Sequence, residues 1–564
     1  MKNTCLLFLL LWGNMKTTAQ DAVPKDYFAN PLKIPMQLAG SFAECRPNHF
    51  HTGIDLKTNN QENLPVLAAA DGFISRISVS HAGYGYCLYM QHPNGYTTVY
   101  GHLNKYMPEV MAYVKQQQYK QQKWNVDLQL NSKQFVYKKG AQIAYSGNTG
   151  GSTAPHLHFE IRNTRTELVM DPLLFGLPIK DNIAPKAGTL AFYDADNYYE
   201  ASPLLVSLKP PVKKKGAAPM SDVVTVPYAQ TMIGIDAKDY INGSSNWLGI
   251  SFMQLYFDER PVATIHNTEL NFDHNRAVNA YADFRTYSNK GIWMHGLYKL
   301  PNNPLDVYSG MVKNGLLDIG DGKVHNIKIV MQDAFGNTTT VNKQIQYKTK
   351  AGVVACRGRF NAGQRHYYKH YTGNMYCNLP AKVFYDDVCF TVKEVLMPGQ
   401  YSSQFDILRQ AVPAHDYFEL GLKLIKPVPA ALRGKLIFMH KIPKSNLPGS
   451  NSQEAQAAEW KDGFAMAKVR SFGSYSVGID TTAPKIVRLN ATQKQSIQFT
   501  VTEEKTSIAA VKGYINNQWV CFSRKGNTYT YIPDEYCPAG KSTIRLVATD
   551  ENGNESVYSS TFMK

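Results

Sequence analysis

This sequence predicts a mainly β protein of several domains, on three observations. Short apolar/polar alternations, broken by Gly, Pro, Asn and Asp, recur along most of the chain. The segments DNIAPK at 181–186 and DTTAPK at 480–485 echo each other, as do DAFGN at 333–337 and DENGN at 550–554. A chain of 564 residues also exceeds one hydrophobic core, and its length alone suggests roughly four domains.

The N-terminus reads as a secretory signal peptide over 1–19. Lys2 supplies the positive charge, Leu6 to Trp12 the apolar run, and Thr17 and Ala19 the small residues before a cleavage site. Cys5 precedes the apolar run, so it is not placed as a lipoprotein cysteine. The run is far shorter than the ~20 residues that span a bilayer, and no later stretch spans one either. An exported protein of the periplasm or cell envelope, without a transmembrane segment, is expected. Seven cysteines follow the signal peptide, an odd number. Cys521 and Cys537 lie close enough in one small domain to pair. With no CxxC, a thiolate zinc site is not expected.

Residues 20–180 form the first unit. Segment 64–79 reads as two short strands around Asp71-Gly72. Tyr86–Gln91 and Tyr96–Gly101 read as a hairpin closed by Pro93-Asn94-Gly95. In its second strand Thr98, Tyr100 and His102 share a face, which brings His102 out at the strand's end. Pro108 to Trp124 has a different texture: good helix formers, no Gly, and Val110 and Val114 at helical spacing. It predicts a helix within an insertion of about 105–137, either a wall for a cleft or a solvated decoration. Asp171 to Leu177 closes the unit.

The chemistry gathers at Gly147 to Arg162, GNTGGSTAPHLHFEIR. Its glycines lack the Lys of a phosphate-binding loop. Past Pro155 the segment reads as a strand in which His156, His158, Glu160 and Arg162 alternate with Leu157, Phe159 and Ile161. Strand side chains alternate faces, so both imidazoles share one face while the apolar residues enter a core. Upstream, His51 and Asp55 in HFHTGID are four positions apart. Two His and one carboxylate would leave one position open on a tetrahedral Zn²⁺, as in catalytic rather than structural sites. His102 is a further group at hand. Glu160 reads as a surface residue, with support of a histidine as the alternative. His81, His92 and His366 read as ordinary polar residues.

Behind this unit the echoing segments mark β-sandwiches: Pro just before a first strand, Asp/Gly/Asn in a last turn. The boundaries are 181–348 and 480–564, with a further β domain at 349–479 between them. The Pro/Lys-rich 209–219 reads as a loop. RFNAGQRHYYKHY at 359–371 reads as a basic, aromatic surface loop, with a polysaccharide contact as the alternative. Net charge is +16. With no nucleic-acid motif, the charge implies at most attraction to an anionic wall or membrane surface.

HFHTGID, YGHL at 100–103 and SGNTGGSTAPHLHFEIR resemble the three signature segments of the lysostaphin/LytM-type zinc metallopeptidases. The resemblance runs from near Gly40 to Asp171. It is nearest to exported members from Bacteroidetes-type bacteria, which carry SF-x-E-x-R-x-NHFH and β-sandwich domains behind. It implies a β-sheet peptidase domain of the duplicated hybrid motif type, with a helical insertion, followed by about three immunoglobulin-like β-sandwich domains. It implies Zn²⁺ held by His51, Asp55 and His158, with His102 and His156 as catalytic histidines. Some members place a tyrosine beside the zinc; no equivalent stands near Cys45 to Asn48. The function implied is hydrolysis of peptide bonds in peptidoglycan stems or cross-bridges. The alternative is a non-catalytic wall-binding or hydrolase-activating protein using the same groove. The β domains would offer surfaces for protein partners.

Overall fold

This computed structural model describes residues 23–209, 223–348, 356, 358–408, 411–441, 453–489 and 496–564. The predicted signal peptide and nearly all of the 209–219 loop lie outside them. Among the described residues, no helix is long and apolar enough to cross a membrane.

The N-terminal unit is built on a twisted antiparallel sheet. Its strands are β1 (Leu38–Gly40), β2 (Ile54–Lys57), β3 (Gly72–Val79), β4 (Tyr86–Gln91), β5 (Tyr96–Leu103), β6 (Val126–Gln129) and β7 (His156–Asn163). Their spatial order is β1-β2-β7-β5-β4-β3-β6. The histidine strand β7 therefore sits near the middle, flanked by β2 and β5. Leu157, Phe159 and Ile161 are fully buried in the core beneath, with Leu56, Tyr100 and Leu88. A three-stranded sheet of Pro65–Leu67, Gln142–Tyr145 and Lys105–Tyr106 covers the other side of that core.

The predicted helix is present as α1 (Pro108–Gln121), opened by Pro108 and closed by Gln122 in the left-handed conformation. Val110, Val114 and Gln118 are buried. The opposite face carries Lys115 and Tyr119, and its partners lie at the far end of the chain. Lys115 Nζ is 2.9 Å from Asp534 Oδ2. Tyr119 donates to the same Asp534 oxygen at 2.7 Å and stacks on Tyr536 at 3.7 Å between ring centroids. The helix is thus neither a groove wall nor a solvated decoration. It docks the C-terminal unit.

Behind the N-terminal unit lie β-sheet domains. Residues 186–347 contribute two six-stranded sheets, 366–479 two five-stranded sheets, and 485–563 two four-stranded sheets. One buried core runs without a break from Leu190 through Ile345 to Val477. The last sheet pair has its own core, around Phe499, Tyr531 and Leu546.

Three expectations are corrected. Cys521 and Cys537 are both free, and the disulfide is Cys356–Cys389. The 359–371 stretch is not a loop: Arg359–Phe360 and His366–Lys369 are strands, and Phe360 stacks on His366. Thr98, Tyr100 and His102 do not share a face. Thr98 and Tyr100 are fully buried and hydrogen-bonded to each other. At His102 the backbone turns left-handed (φ 57°), which breaks the alternation and swings the imidazole to the opposite side of the sheet.

Candidate metal centre

Register builds the site. His158 on β7 pairs directly with Asp55 on β2 and, on its other side, with Gly101 on β5. Directly opposed residues hold their Cβ atoms ~4.5–5.5 Å apart, so the two side chains meet above the sheet. The turn before β2 brings His51 to the same point. It passes so close to β7 that a Cβ on Gly53 would lie 2.4 Å from the Phe159 carbonyl oxygen.

His51 Nε2, Asp55 Oδ1 and His158 Nδ1 form a triangle with 3.0 Å edges, and all three residues are buried. Bonds of ~2.0–2.1 Å at the tetrahedral angle place ligand atoms ~3.4 Å apart, close to this spacing. Each ligand's other polar atom has its own partner. His51 Nδ1 donates to the Ser41 carbonyl at 2.7 Å, leaving the Nε2 lone pair free. Asp55 Oδ2 accepts from Arg46 Nη2 at 2.7 Å. His158 Nε2 donates to Glu160 Oε1 at 2.9 Å, leaving Nδ1 facing its neighbours. Pinning the far atom of a ligand fixes its tautomer and aim. This donor set fits a small divalent ion that takes nitrogen and oxygen.

Glu160 is fully buried, which corrects its reading as a surface residue. The same Oε1 accepts from Thr52 at 2.6 Å and Tyr84 at 2.5 Å, and Oε2 accepts from Arg162 Nε at 2.7 Å. Burial opposes its ionisation, but Arg162 and the His158 hydrogen bond hold it far below the usual carboxylate range. Burial likewise works against the His158 cation, yet its bonds to Asp55 and Glu160 lift it to about 9. The Tyr84 ring stacks over His158 at 5.0 Å between centroids.

His102 and His156 reach the same point from the open side. Their ring centroids are 4.7 Å apart, and His156 Nε2 lies 3.3 Å from Asp55 Oδ1. His102 Nδ1 donates to the Thr149 carbonyl and His156 Nδ1 to the Ala154 carbonyl, both at 2.8 Å. Each Nε2 is thereby left as a lone pair, and that of His156 is buried without a hydrogen bond. Burial, with His158 and His156 adding to it, brings His102 down to about 3, so it is neutral at neutral pH. All five predicted residues are brought together.

An open groove runs past these side chains, walled by Thr58–Asn60, by Ser152–Pro155, by Arg46 and by Asn246. Asn246 comes from the unit behind. Its loop is tied down where Ser244 donates to the Leu38 carbonyl at 3.0 Å and Lys57 Nζ donates to Ser244 at 2.9 Å. Sequence reasoning missed Ser41, Arg46, Thr52, Tyr84 and Asn246. Arg46 and Tyr84 carried a signal, a charged and an aromatic residue in glycine-flanked or motif-bearing loops. Asn246 carried none.

Residues 49–120 and 121–172 match the family model described as Peptidase family M23, and residues 359–480 match that of a Zu5-like domain. A Haemophilus influenzae protein named "Uncharacterized metalloprotease" is 35% identical over 129 residues, 23% of this chain and 21% of that protein. The "DD-carboxypeptidase/endopeptidase Mpg" of Neisseria meningitidis is 34% identical over 113 residues, 20% of each. The chain thus spans about a fifth of the length of the curated relatives it matches. Among solved structures, the catalytic domain of the antimicrobial peptidase lysostaphin from Staphylococcus simulans is 26% identical. That match covers 25% of this chain and 88% of the other, with a TM-score of 0.18.

Proposed function

We infer, from the peptidase family M23 domain that its N-terminal region carries, that the protein is an exported zinc-dependent endopeptidase. It cleaves peptide bonds in peptidoglycan stems or cross-bridges. The single observation that supports this most is the 3.0 Å triangle of donor atoms with two further imidazole lone pairs beside it.

His51, Asp55 and His158 would hold the Zn²⁺, and His102 and His156 would not. When bound, Zn²⁺ lowers the pKa of a water and polarises the scissile carbonyl. The chain's own part is proton handling and positioning. One of His102 and His156 accepts the water's proton at Nε2, and the other donates a hydrogen bond to the developing oxyanion once it is protonated. Their Nδ1–H bonds to backbone carbonyls keep both Nε2 atoms aimed at the reacting point. No tyrosine near Cys45–Asn48 is called on. Arg46, already bonded to Asp55, stands in the groove wall where it can meet a substrate carboxylate.

The second reading, a non-catalytic wall-binding or hydrolase-activating protein, uses the same groove. Intact donors at all five positions favour the first. The test is digestion of purified peptidoglycan by the mature protein, with chelator, with zinc returned, and with His158→Ala. Release of new peptide ends that chelator stops and zinc restores is expected. Binding to the wall without any new ends would refute the endopeptidase and support the second reading.

A further inference from the structure

The echoing segments mark more than domain boundaries. In the first copy Asp181, Asp239 and Asp333 converge, with carboxylate oxygens within 4.8 Å of one another; in the second, Asp480, Glu503 and Asp550 do the same. Asp181 and Asp480 open the APK segments, and Asp333 and Asp550 open the GN segments. The third members share no motif but are equivalent in the fold. Lys186 pairs with Lys238 across the first strand pair, and Lys485 with Thr502 across the second. Asp239 and Glu503 are the next residues. The GN turns are also built alike. Asp333 accepts from the Asn337 backbone at 2.9 Å and side chain at 2.7 Å, and Asp550 accepts from Asn554 both ways at 2.8 Å.

The two copies differ in charge balance. Two residues after Glu503, Lys505 brings its ammonium to 3.7 Å from Asp480. Two residues after Asp239 stands Ile241, buried in the peptidase core. Among the described residues, no Lys, Arg or His pairs with Asp181, Asp239 or Asp333. Asp239 is 5% exposed, and its Oδ1 is buried with no hydrogen-bond partner, as is Asp181 Oδ2. Burial and the two neighbouring aspartates push Asp239 up to about 8. Buried carboxylates are normally paired or bound to a metal.

We propose that Asp181, Asp239 and Asp333 bind a divalent cation, Ca²⁺, where the second copy instead has the Lys505 ammonium beside Asp480. The donors are all oxygen, which suits a hard cation. Three protein carboxylates suit Ca²⁺ better than Mg²⁺, which keeps most of its waters. The site lies at the junction of the peptidase unit with the β domains. Ile241 and Phe335, each two residues beyond a triad aspartate, both pack against the peptidase core. A cation there clamps the loop that carries Asn246 into the groove.

The full-length mature protein, zinc-loaded and dialysed free of calcium, is titrated with CaCl₂ by calorimetry, with thermal unfolding followed in parallel. One Ca²⁺ per chain is expected, with a Kd of ~10⁻⁴–10⁻³ M, the range of extracellular modules, and a rise in Tm. Asp239→Asn should abolish that rise, and without calcium it should unfold no earlier than wild type, because repulsion within the triad is relieved. Asp181→Asn, at a half-buried position, gives the same reading should Asp239→Asn not fold. Glu503→Gln should leave the calcium response unchanged. Absence of binding heat and of a calcium-dependent Tm shift in the wild type overturns the proposal. A shift that survives both aspartate substitutions overturns it too.

Discussion

Replacing Glu160 with Gln tests how far the support beneath the metal triangle governs it. The change keeps size and shape. Oε1 can still accept from His158, Thr52 and Tyr84, but an NH₂ group now stands where Oε2 accepted from Arg162. Arg162 is only 9% exposed, so its guanidinium is left buried against another donor. Breaking one side of a buried pair costs ~3–5 kcal/mol. Full loss of a partner that orients a metal-bound histidine lowers metal affinity ~10–100-fold, equal to ~1.4–2.7 kcal/mol. Gln keeps the acceptor but not its charge, so the lower end, ~10-fold, is expected here. Two readouts separate these effects. Competition against a chromophoric chelator gives the zinc affinity. Native-state hydrogen exchange of the β7 amides gives the local stability, which suits a chain too large for one two-state transition. Zinc affinity within threefold of wild type, together with unchanged protection of β7, would refute this account of Glu160.

Three further outcomes are expected. His158→Ala should lose bound zinc by elemental analysis while keeping its secondary structure by circular dichroism, since Leu157, Phe159 and Ile161 still fill the core. His102→Ala and His156→Ala should each retain zinc yet lose ~10²–10⁴-fold in peptidoglycan turnover; losses under tenfold in both would show the roles to be misassigned. Tyr119→Ala should leave zinc content unchanged but loosen the C-terminal unit, seen as faster proteolysis between Asp480 and Lys485, ahead of that unit's first strand, and a larger radius by X-ray scattering.

The gathering of the two β7 histidines was legible because it rests on regular geometry, whereas the choice of His158 over His156 as the third member of the triangle came from the family resemblance. Period-two alternation placed His156 and His158 on one face and three apolar residues on the other, and the β-ladder preserved that pattern. His102 shows where the same rule fails. Alternation assigned it to the face of Tyr100, and one left-handed residue reversed it; the sequence YGHL contains no sign of that φ. Glu160 was assigned correctly to the histidine face, but its burial depends on Tyr84 from another loop folding over it. The partner of α1 lies more than 400 residues away, beyond any local pattern. The echoing segments were legible as repeats. Their carboxylate chemistry was not, because Asp239 and Glu503 join the triads only through strand pairing.

The contact between α1 and the last sheet pair has a further consequence, set by tethering. Lys115 and Tyr119 meet Trp519, Asp534, Glu535 and Tyr536 in a small patch of ion pairs and aromatic contacts, and Lys435 and Leu436 add two hydrogen bonds to Asn552. These are too few contacts to hold two separate proteins together firmly. Within one chain the encounter is unimolecular, and the intervening folded units set its effective concentration, which reaches the millimolar range for short flexible links. Lengthening a flexible loop from 100 to 415 residues adds only ~1.3 kcal/mol to the closure cost, and folded domains in between lower it further. The latch therefore depends on covalent continuity rather than on intrinsic affinity. One cut between Asp480 and Lys485, ahead of the unit's first strand, would turn a closed clasp into a pair that separates on dilution, and the exposed face of α1, with Lys115 and Tyr119, would become free surface.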